Sequence, residues 1–120
     1  MKPSMRAAAS LACECTVLAA DRGPQEPSGT RRIQGEHFDI EFVRIARGET
    51  VSRAAGATAG EEVAAVLEGA LHVESSEERY VLSVGEGIVI PPGQGSRWSA
   101  AETGGLLYRV IVRAGAGAEP

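Results

Sequence analysis

Few side chains in this chain have the chemistry of a reactive site, and they are scattered along it. Glu62 could give or take a proton, with Tyr108, Arg109 or His72 as candidate partners in acid-base chemistry and charge stabilisation. Arg53, Arg97 and Arg109 are the donors suited to an anionic or carbonyl ligand. Arg109 stands between Tyr108 and Val110 in an otherwise apolar strand, an unusual place for a charge. If the inner face of that strand carries Leu107, Arg109 and Ile111, the arginine enters the interior; if it carries Leu106, Tyr108 and Val110, the tyrosine does. Alternation alone permits both. Ser96 can donate and accept a hydrogen bond, which would orient a ligand or cap a turn, but no histidine adjoins it and no third triad member is in evidence.

Metal chemistry is poorly provided for. Zinc and iron sites generally need three or four protein ligands, mostly nitrogen or sulfur. The chain has two histidines, His37 and His72, so a three-histidine site within one chain is excluded. An improvised site would have to combine them with Glu62 and the cysteines. His72 alternates with Leu71 and Val73 and reads as outward-facing, and His37 opens a strand beside Asp39 and Glu41 and reads as solvated. Cys13 and Cys15 would project from one face of a strand, where a bridge between near neighbours is strained. They read as reduced thiols of a cytosolic protein, with a shared metal or redox site as the alternative.

The elements that must position these residues are strands. With 120 residues the chain forms one domain able to bury roughly two thirds of its unfolded surface. Hydrophobic residues make up 43% and aromatics only 4%, so the core must be built from Val, Ile, Leu and Ala. Fifteen glycines and six prolines punctuate short apolar runs, which favours strands and turns over long helices. A net charge of -4 offers no basic face for nucleic acid. Glu14 interrupts the apolar stretch after Lys2 and Arg6 before it reaches signal-peptide length, and no segment is long enough to span a membrane. A cytoplasmic protein is expected.

Residues 1–30 are expected to form an N-terminal arm with an edge strand over Cys13 to Ala20 and a Pro- and Gly-rich loop over Asp21 to Gly29. Residues 31–113 are expected to form the barrel, and 114–120 a tail. From His37 the pattern alternates, with Phe38, Ile40 and Phe42 on one face and His37, Asp39 and Glu41 on the other, as in a half-buried strand. Further strands are predicted at Glu49 to Arg53, Glu62 to Glu68, Ala70 to Glu74, Arg79 to Val84, Gly87 to Ile90, Arg97 to Ala100 and Leu106 to Val112. A helix starting at Gly60 is set aside, because only about nine residues separate it from Gly69. Short strands at this spacing make an all-β sandwich or small barrel.

The order Gly48, Glu62, Gly69, Gly85, Pro91, Gly93 within these strands resembles the two motifs of the cupin superfamily of jelly-roll barrels (double-stranded β-helices). Glu62, separated by six residues from Gly69, fits the end of the first motif. Gly85, Pro91 and Gly93 match the second in register. The resemblance covers roughly residues 38 to 112. The family's metal-binding histidines are missing: Ala54 and Gly56 stand at the first two positions and Ser96 at the third, so only the glutamate of the usual four ligands remains.

The resemblance implies that Glu62 points into the barrel, with Ala64 and Val66 on the same face. A carboxylate there must be paired, hydrogen-bonded or protonated, or else solvated at the mouth. Arg53, Ser96, Trp98 and Val66 are the implied pocket residues, with Trp98 otherwise a packing residue at the rim. The small side chains from Ala54 to Gly60 leave that end roomy unless the loop folds in. The implied function is metal-independent binding of a small organic molecule without a cofactor, either catalytic, as an isomerase, cyclase or lyase using Glu62, Tyr108, Arg109 and His72, or as a sensor or carrier. A metal-dependent dioxygenase or sugar isomerase with unusual ligands is the alternative. A homodimer paired through the first strand is the expected assembly.

Overall fold

The computed structural model describes residues 15–19 and 23–113, and all its regular structure is β. The strands are β1 (Gly29–Gln34), β2 (Phe38–Ile45), β3 (Thr50–Arg53), β4 (Glu62–Glu68), β5 (Ala70–Ser75), β6 (Glu78–Ser83), β7 (Gly87–Ile90), β8 (Ser96–Ala100) and β9 (Gly105–Val112). They form two antiparallel sheets, of order β1-β2-β9-β4-β7 and β3-β8-β5-β6. Every strand expected from residue 37 onward is present. β1 was not anticipated as a separate element. Of the edge strand expected over Cys13 to Ala20, only residues 15–19 are described and they carry no strand; the rest of it, Cys13 included, and the tail from 114 lie outside the described residues.

The sheets face each other across an apolar core. Val43, Ile45, Ala64, Val66, Leu71, Val73, Ile90, Trp98 and Leu107 are all nearly or fully buried in it. Alternation produces this: in β4, Ala64 and Val66 are buried while Val63 between them is exposed, and in β8, Trp98 is buried beside exposed Arg97. Trp98 is thus a central core residue rather than a rim residue, and its Nε1 has no hydrogen-bond partner. Val66 is likewise core, with no exposed surface to offer a ligand.

Tight turns hold the strands in register. Gly69, between β4 and β5, has φ +73°, and a Cβ there would lie 2.5 Å from the Gly104 carbonyl oxygen, so no other residue fits. The β5–β6 hairpin turns on Ser76 and Glu77, both at positive φ (52° and 67°), where glycine or asparagine is usual.

β2 corrects the expected orientation of its first half. Glu41, not Phe42, lies on the inner face, continuing to Val43 and Ile45, while Phe42 faces outward. Phe42 is still buried, packed against Tyr108 (ring centroids 5.1 Å) with the Arg31 guanidinium carbon 5.7 Å from its ring centre. An apolar side chain was available on both faces of β2, and the choice falls to the face whose charge meets an opposite charge inside.

Candidate functional site

Strand polarity brings one end of β3, β4, β8 and β9 to the same mouth of the barrel, and the inner residue of each is polar. Glu62 opens β4 and has no exposed surface. Its Oε1 accepts hydrogen bonds from Arg53 Nε (3.1 Å) at the end of β3 and from Ser96 Oγ (3.3 Å) at the start of β8. Its Oε2 accepts from Arg109 Nη1 (3.4 Å) on β9. Arg109 therefore enters the barrel, and Tyr108 lies on the outer face against Phe42.

Arg109 continues the row to Glu41, its direct cross-strand partner on β2. Its Nε and Nη2 both reach Glu41 Oε1, each at 2.9 Å. Glu41 Oε2 is held in turn by Arg32 Nε (2.9 Å) and Nη2 (2.7 Å) from the edge strand β1. The result is an alternating row, Arg53–Glu62–Arg109–Glu41–Arg32. Burial alone would raise the Glu41 pKa, but the guanidiniums of Arg109 and Arg32 outweigh it and hold the carboxyl below its ordinary value. The hydrogen bond from Arg32 to Glu41 and their attraction raise the Arg32 pKa in return.

The loop from 54 to 61 folds over this mouth rather than leaving it open. Gly93 of the Pro-Pro-Gly turn latches it, accepting a hydrogen bond from Gly56 N (3.2 Å) and donating one to Ala59 O (2.7 Å). Ala59 and Gly60 are buried as a result, and Gly60 O receives Arg53 Nη2 at 3.0 Å. Two openings flank the loop. One, of about 540 Å³, lies against Ala55 and the acidic β5–β6 hairpin and touches only Ser96 of the polar cluster. The other, of about 480 Å³, holds Arg32, Glu41, Arg53 and Arg109 together. The second is the candidate site because it contains the charges whose burial needs explaining.

Two of the expected catalytic residues are not brought here. His72 is exposed on the outer face of the smaller sheet, beside Val81 and Ser99, and Tyr108 is behind the larger one. Arg97 also faces outward, paired with Glu74 at 2.7 Å. Glu62, Arg53, Arg109 and Ser96 do meet. Glu41 and Arg32 are the site residues that sequence reasoning missed. The available signal was a complementary pair: an acid in the Phe-Asp-Ile-Glu-Phe run of β2 and a base in the apolar run of β9.

A transition metal does not fit this donor set. Both oxygens of Glu62 are taken by cationic or hydroxyl donors, His37 and His72 are exposed, and no group of three or more His, Cys, Asp or Glu side chains suited to a metal occurs among the described residues. No helix among them is long and apolar enough to cross a membrane.

No family model matches the chain, and no curated protein matches it. Solved structures do. A conserved protein of unknown function from Streptococcus pyogenes superposes with a TM-score of 0.67 at 21% identity, over 82% of this chain and 88% of that one. The Cupin_2 domain of an XRE family transcriptional regulator from Enterobacter cloacae gives 0.63 at 13% identity, over 72% and 97%. An RmlC-like cupin with a double-stranded β-helix fold from Methanocaldococcus jannaschii gives 0.62 at 11%, over 76% and 86%. The likeness these share with the two-sheet barrel described above is one of architecture, and by that architecture the chain has the fold of the cupin superfamily.

Proposed function

We propose that this chain is a metal-independent cupin that binds a small organic molecule at the arginine-bearing mouth, as a cytoplasmic binding module in preference to a catalyst. The observation that carries the reading is the state of Glu62: fully buried, with guanidiniums on both oxygens. Arg53 and Arg109 supply there the positive charge that a metal ion would otherwise bring. Both oxygens of Glu62 already accept hydrogen bonds from Arg53, Ser96 and Arg109, and neither Tyr108 nor His72 is beside it to share acid-base work. An isomerase, cyclase or lyase at this mouth would have to rely on Arg53 and Arg109 for charge stabilisation and on its substrate for acid-base groups.

Elemental analysis of protein purified without a histidine tag or chelator tests the reading. Metal well below one equivalent is expected. Near-stoichiometric zinc, iron, manganese, nickel or copper would overturn it.

The proposal includes a homodimer. Its support is the outer face of the larger sheet, where Val63 and Val89 are exposed cross-strand neighbours and Val110 and Ile40 continue the apolar row. Sedimentation at the mass of a single 12.5 kDa chain would count against it.

A further inference from the structure

We infer that the ligand of the arginine-bearing mouth is a small monocarboxylate, a hydroxy or oxo acid, anchored by Arg53 and met at the open side by Arg32. This rests on the binding reading above and adds the chemical class of the ligand.

The donors of the mouth show which are spent. Arg109 uses Nε, Nη1 and Nη2 on Glu41 and Glu62. Arg113, also at this opening but outside the row, commits Nη1 to Asp39 and the Phe38 carbonyl and Nη2 to the carbonyls of Gly35 and Glu36, and keeps only Nε. Arg53 uses Nε on Glu62 and Nη2 on Gly60 O, which leaves Nη1 without a partner. Arg32 uses Nε and Nη2 on Glu41, which again leaves Nη1. The alternating row thus begins and ends in a guanidinium, and the unspent nitrogen at each end belongs to a residue lining the same cavity.

Charge sets the valence. Around this opening four guanidiniums, of Arg32, Arg53, Arg109 and Arg113, face three carboxylates, of Asp39, Glu41 and Glu62. One positive charge is left over, in a chain whose net charge is -4. A single negative charge completes the row, whereas a dianion such as phosphate would overshoot it beside carboxylates that cannot move away. Every oxygen of Glu41 and Glu62 already accepts from arginine or serine, and Asp39 gives Oδ1 to Arg113, so no hydrogen bond from these carboxylates occupies the free nitrogens of Arg53 and Arg32.

The two ends differ in exposure, and that assigns their roles. The Arg53 side chain is 17% exposed and fixed by two hydrogen bonds, a pre-organised donor that loses little freedom on binding. The Arg32 side chain, likewise held by two hydrogen bonds but 62% exposed on the edge strand β1, offers its Nη1 from the solvent side of the cavity. Ser52 and Thr58 add hydroxyls to the lining, and Ile111 and Val112 add an apolar wall, which suits a short carbon chain with an oxygen substituent.

The test follows the arginine Nε–H resonances and the indole resonance of Trp98, the chain's single tryptophan, in ¹⁵N-labelled protein. Sodium lactate, sodium pyruvate, lactamide and inorganic phosphate are added at constant pH and ionic strength. Lactate and pyruvate are expected to shift the Arg53 and Arg32 signals saturably, lactamide to leave them unmoved, and phosphate to bind about tenfold more weakly than the acids. Arg53→Lys keeps the charge but loses the fork and should weaken lactate about tenfold. Arg32→Lys, which keeps a cation beside Glu41 but loses the fork, should weaken it a few-fold. The inference is overturned if neither acid gives a saturable shift, if lactamide matches lactate, if phosphate binds more tightly, or if Arg53→Lys titrates like the parent. A neutral metabolite that shifts the same signals would sink the carboxylate class while keeping the binding barrel; signals unmoved by a broad metabolite library would sink both.

Discussion

The two layers of this barrel are closed by different means. In the middle layer Leu71, Val73, Val66, Leu107 and Trp98 exclude water by packing, and any of several similar side chains could serve there if the volume were kept. At the mouth, Glu62, Arg109 and Glu41 are as fully buried, yet each is tolerable only because of the next. The apolar layer is robust to the identity of its members, and the polar layer depends on the presence of every one of them. A buried ion pair adds little net stability over an apolar pair, but removing one partner leaves the other charged and dry. The lesson is that burial alone does not distinguish a core from a site. What distinguishes them is whether a residue's neighbours could do without it.

Substitution tests the contrast most strongly. Arg109→Met should destabilise the fold by about 3–5 kcal/mol, read from urea denaturation, because it strips Glu41 and Glu62 of a shared partner. Leu71→Ala should cost a comparable amount, about 2–5 kcal/mol, through a cavity. The two part company in double variants: adding Glu62→Gln to Arg109→Met should recover a measurable share of the loss, whereas adding it to Leu71→Ala should not. Equal behaviour of both pairs would erase the distinction between the layers.

Acid should open the mouth before it loosens the core. The Glu41 carboxyl is held below its ordinary value in the folded chain, so below about pH 4.3 the unfolded chain binds the additional proton and stability falls as pH drops through the folded value. The stabilisation is complete above that range. Melting temperature measured from pH 6 to pH 3 should decline at the acid end, and Glu41→Gln should flatten the decline. Glu68, lowered by its hydrogen bonds with Arg44, follows the same sign but is exposed and contributes less. An unchanged acid limb in Glu41→Gln would remove Glu41 from the account.

The smallest effect lies outside both layers. Glu77 holds positive φ in the β5–β6 turn, and Glu77→Gly should relieve about 1 kcal/mol, a rise of a few degrees in melting temperature. No change would show that the turn is paid for by contacts elsewhere.

Much of the barrel was legible in the chain because turn residues are local. Gly69, Gly85 and the Pro91-Pro92-Gly93 run mark strand ends whatever the strands then pair with, and the structure has strands between them. The polar mouth was legible only in part. Glu62 could be placed through its motif spacing, but the inward face of β9 could not, since Leu106, Tyr108 and Val110 make as good a core face as Leu107, Arg109 and Ile111. The same ambiguity put the wrong face of β2 inside. Period-two alternation says which residues travel together, and only a partner strand says which set is indoors. Glu41 and Arg109 are 68 residues apart and resolve each other's orientation only once β2 and β9 are side by side.

The row of charges also constrains how this sequence can change over time. Freeing Glu62 for a metal by replacing Arg53 or Arg109 strands a buried carboxylate until histidines are supplied at other positions, and supplying the histidines first sets them against guanidiniums that already occupy the acid. Each single step away from the salt-bridged row passes through a less stable protein. The salt-bridged mouth is therefore closed to one-at-a-time substitution within its row, while the apolar layer beneath it accepts single changes that keep its volume.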